Sequence, residues 1–281
     1  MSSFEIVAAG ALDPARLHAA FTAAFADYLI GPFELAPAQW PQFLARQGVE
    51  LAESRVAVQR GEPIAFCLAA PRPETDSWRL GTMGALPAAR GSGTAPALLD
   101  DFVARAQAAG VGSVELECFA QNTRALRLYE GRGFREVDAL HGWRHAGGSA
   151  NGSTDIPAPI ELPDAFAWLG ACPAAGIALP LQVTPRSLRA LPVTLQAWRR
   201  GDAQIVFSES ADTRLQVHSL VDRDPAQEDA RALVAALFSR YPRQAIHVPQ
   251  LQRQVVGGAA LESLGFERLA LHQLWLRRPL A

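Results

Sequence analysis

The second half of this chain of 281 residues repeats the pattern of the first half, and this internal repeat is the strongest constraint on its fold. Leu264-Gly265-Phe266 repeats Arg132-Gly133-Phe134 at an offset of 266 − 134 = 132 residues. The same offset aligns the strand-like segment 245–250 with 113–118, and a three-residue gap aligns the helix-like segment 232–240 with 97–105. Alternating strand and helix patterns indicate α/β structure. We therefore predict a duplicated α/β unit.

Between the two halves lies a segment that is typical of a linker. Residues 145–154 read His-Ala-Gly-Gly-Ser-Ala-Asn-Gly-Ser-Thr, which is poor in apolar residues and rich in glycine and serine. We therefore predict one domain over 1–145, a linker over 146–157 and a second domain over 158–281. Because 49% of the residues are hydrophobic and 19% are charged, the chain can bury a substantial core.

Charge and hydropathy exclude several classes of partner. The formal net charge is −2 and no run of basic residues occurs, so we expect neither nucleic acid nor an anionic membrane as the main partner. No apolar run is long enough to span a bilayer, and the first residues lack the pattern of a signal peptide. We therefore expect a cytoplasmic protein, and the oligomeric state stays open.

The cysteines and histidines give no sign of a disulfide framework or a metal site. Cys67, Cys118 and Cys172 are odd in number and widely spaced, which favours buried, reduced thiols. The histidines do not show the spacing of metal ligands, so we assign no metal.

A first helix is predicted from Asp13-Pro14, because Asp is a favoured N-cap and Pro suits the first turn. Apolar residues then recur at helical spacing toward Gly31-Pro32, namely Leu17, Phe21, Phe25 and Leu29. Segments 55–59 and 64–69 predict a β-hairpin, and 78–86 predicts a strand that contains two glycines. Glycine inside a strand often marks a bulge or the close approach of a ligand.

The chemistry of the first half centres on Arg90-Gly91-Ser92-Gly93-Thr94-Ala95, which lies between a predicted strand and an apolar helix. Glycines let the backbone adopt conformations that a Cβ bars, and they let amide N–H groups approach a ligand closely. The N-terminus of a helix favours an anion, and Arg90 adds a positive charge. Phosphate or pyrophosphate is the simplest ligand, although the loop alone is equally consistent with an ordinary strand-to-helix turn.

Downstream residues turn this loop into part of a larger pattern. Pro87-x-x-Arg90-Gly91-x-Gly93-x-Ala95 is followed by a strand, Asn122, and Leu128-Tyr129-Glu130 ahead of Gly133-Phe134. In this order and spacing, residues 3–145 resemble the GNAT N-acetyltransferases. The resemblance implies a mixed α/β sheet flanked by helices in each of two tandem domains. It also implies acetyl-CoA as the co-substrate.

The resemblance carries over to individual residues. It implies that the pyrophosphate of acetyl-CoA binds the loop Arg90, Gly91, Ser92, Gly93, Thr94 and Ala95. It implies that the pantetheine arm pairs with the backbone of the preceding strand, at Met83, Gly84, Ala85 and Leu86, where small residues would leave it room. Asn122 matches a position that commonly holds the pantetheine, although an N-cap is an equally good explanation and both roles can coexist.

Two further residues are implied in catalysis. Tyr129 matches the tyrosine that protonates the departing CoA thiolate in many family members, and its alternative is a partly buried core tyrosine. Leu116-Glu117-Cys118 followed by Asn122 resembles the branch that acetylates ribosomal proteins, whose glutamate is the general base. Glu117 is therefore the candidate base. Glu115 on the same strand face is its competitor, and both could instead be exposed strand carboxylates.

The second half departs from this pattern. It has Pro225-Ala-Gln-Glu228-Asp229-Ala230 where the first half has its glycine loop, and the two carboxylates would repel a pyrophosphate. We therefore predict a degenerate second domain that binds no CoA. The predicted activity is transfer of an acetyl group to a primary amine of a small molecule or peptide. The alternatives are another acyl-CoA or acceptor, as in mycothiol synthases, or a non-catalytic module that binds acyl-CoA.

Overall fold

The computed structural model describes residues 3–147, 155–210 and 214–280, and the chain forms two compact units. Unit 1 comprises Met1–Cys118, Asn122–Val137 and Leu276–Ala281, and unit 2 comprises Phe119–Gln121 and Asp138–Trp275. Each unit therefore includes a segment from the other half of the sequence. The predicted functional ranges 1–145 and 158–281 remain a prediction, and residues 148–154 of the predicted linker lie outside the described residues.

The first half of the chain contributes ten elements. In chain order they are β1 (Glu5–Ala8), α1 (Pro14–Ala24), α2 (Trp40–Arg46), β2 (Arg55–Gln59), β3 (Glu62–Arg72), β4 (Ser77–Ala85), α3 (Thr94–Ala108), β5 (Ser113–Phe119), α4 (Thr123–Glu130) and β6 (Arg135–His145). Strands β1 to β4 pair antiparallel in sequence order, and β4 pairs parallel with β5. This mixed sheet flanked by helices confirms the predicted fold class.

Local sequence explains how α1 begins and packs. The Asp13 carboxylate accepts the Ala15 N–H at 2.8 Å, so Asp13 is the N-cap that the sequence predicts. The Phe21 ring lies 5.1 Å from Trp40 and 5.8 Å from Phe66, measured between ring centroids, in an aromatic core between α1, α2 and β3. Burial of these large rings holds α1 against the sheet.

One prediction for α1 is wrong. The apolar spacing predicts a helix toward Gly31-Pro32, but α1 ends at Ala24. The chain turns there because the Phe25 carbonyl accepts the N–H groups of both Tyr28 and Phe33, at 3.3 and 3.2 Å. Leu29 is therefore 37% exposed and does not pack as a continuation of the helix.

Strands β4 and β5 separate shortly after they begin. Their parallel pairing covers only Ser77–Arg79 with Ser113–Glu115, although the two strands continue to Ala85 and Phe119. The register of β3 against β4 shifts between Leu68 and Ala69, so Gly81 is the extra residue of a bulge. The opening beyond Arg79, which we call the β4–β5 gap, is the feature of the fold that positions the candidate site.

The second half repeats this arrangement. Its elements are α5 (Leu162–Gly170), α6 (Pro185–Arg189), β7 (Gln196–Arg200), β8 (Ala203–Glu209), β9 (Arg214–Asp222), α7 (Glu228–Arg240), β10 (Ala245–Arg253), α8 (Gly258–Ser263), β11 (Glu267–Arg268) and β12 (Gln273–Pro279). Strands β7 to β9 pair antiparallel, and β9 pairs parallel with β10. Ala245 and Ser113 occupy equivalent places at the start of that parallel pairing, which fits the offset of 245 − 113 = 132.

Candidate functional site

The loop before α3 has the backbone geometry that its glycines permit. Gly91 and Gly93 have φ values of 84° and 91°, in the left-handed region that disfavours residues with a Cβ. Inside the loop, the Ser92 hydroxyl donates to the Ala89 carbonyl at 2.6 Å and lies 3.2 Å from the Thr94 hydroxyl. The N-cap of α3 is Gly93, which has no side chain to satisfy the first amides of the helix.

Several amides of this loop face no protein acceptor. The N–H groups of Arg90 and Ser92 bond the carbonyls of Pro87 and Ala89 within the loop. Among the described residues, no acceptor is found for the N–H groups of Gly91, Gly93, Thr94 and Ala95, which we call the amide cradle. Unpaired donors at the N-terminus of a 15-residue helix are suited to an anion.

The backbone of β4 offers a second set of donors and acceptors. Leu86 donates its N–H to the Ile64 carbonyl of β3 at 2.9 Å. Because main-chain groups alternate along a strand, Gly84 and Leu86 point toward β3, whereas Met83 and Ala85 point into the β4–β5 gap. The Ala85 carbonyl accepts from the Arg90 side chain at 3.4 Å, which agrees with this direction. Of the four predicted pantetheine positions, two therefore face the gap.

Gly84 has a packing reason of its own. A Cβ at this position would lie 2.7 Å from the Phe66 ring and 3.1 Å from the Ala24 methyl group. The absence of a side chain therefore lets α1 and β3 pack closely against β4. The family resemblance implies room for a ligand at Gly84, whereas in the structure the missing side chain makes room for Phe66 and Ala24.

The Arg90 side chain is engaged by protein groups. Its guanidinium forms a bidentate ion pair with Asp27, at 2.5 and 2.6 Å, and donates to the Ala24 carbonyl at 3.1 Å. The hydrogen bond from Arg90 lowers the pKa of Asp27, and Asp27 in turn raises the pKa of Arg90. The positive charge that the sequence places at the loop is therefore balanced by a carboxylate.

Asn122 and Tyr129 lie on α4 beside the end of β5. The Asn122 carbonyl oxygen accepts the Ala125 N–H at 3.2 Å, so Asn122 is the N-cap of α4. The Tyr129 side chain is buried, and burial raises its pKa well above 10, with a further contribution from the Cys118 thiol. Tyr129 therefore carries its proton throughout the physiological pH range.

Tyr28 is part of the same cluster. Its phenol bonds the Asn122 side chain and lies near Cys118. Burial is the main cause that raises the pKa of Tyr28 to about 12. In the sequence, Tyr28 lies within an apolar pattern of helical spacing that runs to Leu29, although α1 ends at Ala24. This pattern conceals the contact between Tyr28 and Asn122.

Glu117 is held at the mouth of the β4–β5 gap. Its Oε2 accepts from the Arg79 guanidinium at 2.6 Å, and its side chain is only 1% exposed. Its Oε1 is buried and has no hydrogen-bond partner in the described structure. A buried carboxylate oxygen without a donor is unfavourable unless a ligand or water supplies one. Oε1 of Glu117 is therefore available to accept a hydrogen bond from a ligand or water.

Glu115 is bound in a different way. It is completely buried and pairs with Arg72 at 2.5 Å and with Arg277 at 3.2 Å. Both of its oxygens therefore contact guanidinium groups. These contacts favour a structural role for Glu115, the alternative candidate for the base. Neither the Glu115 nor the Glu117 side chain is exposed, so the expectation of exposed strand carboxylates is wrong.

Unit 2 fills the equivalent positions with its own side chains. At the start of α7, the buried Asp222 carboxylate accepts the Ala230 N–H at 2.9 Å and the Asp224 N–H at 2.9 Å. Burial is the main cause that raises the pKa of Asp222. Between β9 and β10, the Gln252 amide donates to the Leu220 carbonyl at 3.1 Å. An internal carboxylate and an internal amide thus occupy the places that are open in unit 1.

Three further observations concern groups named in the sequence. Cys67, Cys118 and Cys172 are all buried and unbridged. Across the described ranges, no group of three or more His, Cys, Asp or Glu side chains is placed to hold a metal ion. Within the same ranges, no helix has the length and apolar character needed to cross a membrane.

Comparisons with known proteins agree with this geometry. The model of the acetyltransferase (GNAT) family matches residues 17–134. No curated protein matches the sequence. Among solved structures, a GCN5-related N-acetyltransferase from Anabaena variabilis is similar, with a TM-score of 0.69, 14% identity, and coverage of 98% of this chain and 72% of the other.

Two other structures are similar over nearly the whole chain. A GCN5-related N-acetyltransferase from Sphaerobacter thermophilus has a TM-score of 0.63 and 15% identity, with coverage of 98% of this chain and 95% of the other. Eis1 from Mycobacterium abscessus has a TM-score of 0.60 and 16% identity, with coverage of 99% and 73%. At such identities, the likeness shows a shared fold.

The mixed sheet, the glycine loop and the family match define an enzyme of the acyltransferase class. More particularly, residues 17–134 match the acetyltransferase (GNAT) family.

Proposed function

We propose that unit 1 transfers an acetyl group from acetyl-CoA to a primary amine of a small molecule or peptide, by direct attack in a ternary complex. The observation that carries the proposal is the amide cradle, whose unpaired N–H groups lie next to the open β4–β5 gap. A pyrophosphate on the cradle would satisfy these donors and interact favourably with the dipole of α3.

The gap would receive the rest of the cofactor. Main-chain groups of Met83 and Ala85 face it, so the amide-rich pantetheine arm could bond them as an additional strand would. Asn122 and Tyr28 lie at the acyl end, beside Cys118. In this arrangement the thioester would lie near the buried Tyr129 phenol.

Proton transfers would involve Tyr129 and Glu117. The neutral amine nitrogen attacks the thioester carbon, the carbon–sulfur bond breaks, and the sulfur takes a proton from the Tyr129 hydroxyl. The attacking nitrogen loses its proton to the unpartnered Oε1 of Glu117, directly or through water. Holding both substrates in one gap supplies the orientation that direct transfer requires.

Unit 2 would support the fold without binding a cofactor. Its helix terminus already holds the Asp222 carboxylate, and Glu228 and Asp229 stand in the first turn of α7. A pyrophosphate there would meet like charges. We infer one cofactor site per chain and place the reaction in the cytoplasm, in accordance with the unbridged thiols.

Ala95→Asp tests the cradle. A carboxylate in the first turn of α3 stabilises the free helix by about 0.5 kcal/mol but repels pyrophosphate. The protein should therefore unfold at an unchanged or higher temperature and lose the stabilisation that saturating acetyl-CoA gives the wild type. Thermal unfolding with and without acetyl-CoA measures both effects.

Ala104→Asp is the matched control, because Ala104 is exposed further along the same helix. It adds the same charge and should keep the acetyl-CoA shift. No shift for the wild type, or an equal shift for Ala95→Asp, would contradict the cradle as the cofactor site. A protein that binds acetyl-CoA but releases no CoA with peptide, polyamine, aminoglycoside or amino-acid amines would be a binding module or would use another acceptor.

A further inference from the structure

The Arg90 guanidinium joins two parts of unit 1. Beyond its bidentate pair with Asp27, it donates to the carbonyl of Ala24 at the end of α1 and to the carbonyl of Ala85 at the end of β4. All of these acceptors are protein groups, and the Ala24 carbonyl and the Asp27 carboxylate lie at and just after the end of α1. One side chain of the cofactor loop thus holds the end of α1.

We propose that Arg90 and Asp27 form a clamp that positions the acceptor side of the site, so that the Arg90 side chain serves the segment 25–33 instead of the pyrophosphate. This inference rests on the proposed function, in which Arg90 to Ala95 form the cofactor loop. Arg90 and Asp27 are positioning residues in this account, because they act through Tyr28.

The segment 25–33 has few regular contacts to hold it. It contains no helix or strand. Its internal backbone hydrogen bonds run from Tyr28 and Phe33 to the Phe25 carbonyl, at 3.3 and 3.2 Å, and from Gly31 to the Tyr28 carbonyl at 2.9 Å. Its tip is open, since Ile30 is 48% exposed. An anchor near the middle of such a segment limits how far it can move.

Asp27 is placed to be that anchor. It directly precedes Tyr28, whose ring packs edge-on against Phe25 at 5.0 Å and whose phenol bonds the Asn122 side chain. Fixing Asp27 on the loop therefore fixes the direction in which Tyr28 enters the acyl end of the gap. The cofactor loop and the acceptor segment are thus connected by one ion pair.

The pyrophosphate can do without this guanidinium. The amide cradle already supplies four N–H donors at a helix N-terminus. Transferring Arg90 to the phosphate would leave Asp27 without its partner beside a second anion, which is unfavourable. Among partly exposed ion pairs, a bidentate arginine–carboxylate pair also contributes most to stability.

Hydrogen exchange on the full chain tests the clamp. Asp27→Asn and Arg90→Gln should each speed the exchange of the Tyr28, Gly31 and Phe33 amides by about fivefold or more, because the segment opens more easily. The conservative variant Asp27→Glu should keep the wild-type rates. The acetyl-CoA dissociation constant, measured by calorimetry, should change by less than about threefold in all three variants.

The Asp100–Arg132 pair provides a matched control. Its side chains are 60% and 25% exposed, against 57% and 29% for Asp27 and Arg90, and it lies in the same unit. Asp100→Asn should leave exchange in segment 25–33 unchanged. This control separates loss of the clamp from loss of any exposed ion pair.

Ionisation of Tyr28 gives a readout that general destabilisation would not produce. Burial holds the pKa of Tyr28 at about 12. In Asp27→Asn the freed ring should ionise closer to the ordinary tyrosine pKa of about 10. NMR resonances of the tyrosine ring carbons, recorded across a pH titration, report this ionisation. The Tyr28 signals are assigned by their absence in Tyr28→Phe, and the Tyr241 signals serve as an internal reference.

Two results would overturn the clamp. One is unchanged exchange and unchanged Tyr28 ionisation in Asp27→Asn. The other is a loss of acetyl-CoA affinity of about tenfold or more in Arg90→Gln together with tighter binding in Asp27→Asn, which would make Arg90 a phosphate ligand. If wild-type protein fails to bind acetyl-CoA, the proposed function fails, whereas the exchange and ionisation results still decide the clamp.

Discussion

At the residue scale, burial determines what each polar side chain can do. Tyr129 and Tyr28 both have raised pKa values because their phenols are withdrawn from water. Sequence motifs could predict that Asn122 and Tyr129 lie at α4, as they do, whereas their roles in binding and catalysis stay predictions. They could not predict the contact of Tyr28 with Asn122, because it depends on where α1 ends, and the apolar pattern continues beyond that point.

Tyr129→Phe tests the acid at this scale. Loss of the hydroxyl should slow the release of CoA by about a hundredfold, because the thiolate then departs without a proton donor. The acetyl-CoA dissociation constant should stay within about threefold of the wild-type value, because the ring is kept. Tyr241→Phe in unit 2 removes a hydroxyl that bonds Gln196 and should leave turnover intact. Equal turnover for wild type and Tyr129→Phe would remove Tyr129 from the mechanism.

At the scale of elements, the site depends on where β4 and β5 separate. The sequence suggested a bulge or the approach of a ligand from the glycines in segment 78–86, and Gly81 of β4 does mark a bulge. The width of the gap depends on strand register, which is set by pairing with β3 and by packing, and a single strand pattern does not contain this information. Alternation in β5 correctly placed Glu115 and Glu117 on one face, but it could not distinguish their partners.

Glutamine substitutions separate the two β5 carboxylates. Each should lower the free energy of unfolding by about 2 kcal/mol, because a buried arginine loses its charged partner. Glu117→Gln should also reduce turnover by about a hundredfold with little change in acetyl-CoA affinity, because the proton acceptor is gone. Glu115→Gln should keep the turnover of the folded fraction. Urea unfolding measures the free energy of unfolding, and the rate of CoA release measures turnover. Slower turnover in Glu115→Gln than in Glu117→Gln would make Glu115 the base.

At the scale of the whole molecule, the repeat in the sequence corresponds to a repeat in structure. Pattern and spacing could predict two α/β units and the loss of the glycine loop from the second. They could not show that Asp222 takes over the amides at the start of α7. Nor could they show that residues Leu276–Ala281 belong to unit 1, where Arg277 pairs with Glu115 and Arg278 bonds the Arg132 carbonyl. Such long-range pairings leave no periodic trace in the sequence.

Isothermal titration of the full chain with acetyl-CoA tests the central claim, that one open cradle in unit 1 holds the cofactor. We expect binding of one acetyl-CoA per chain, loss of that binding in Ala95→Asp, and its retention in Ala104→Asp. Binding of two molecules per chain, or binding that survives Ala95→Asp unchanged, would contradict it.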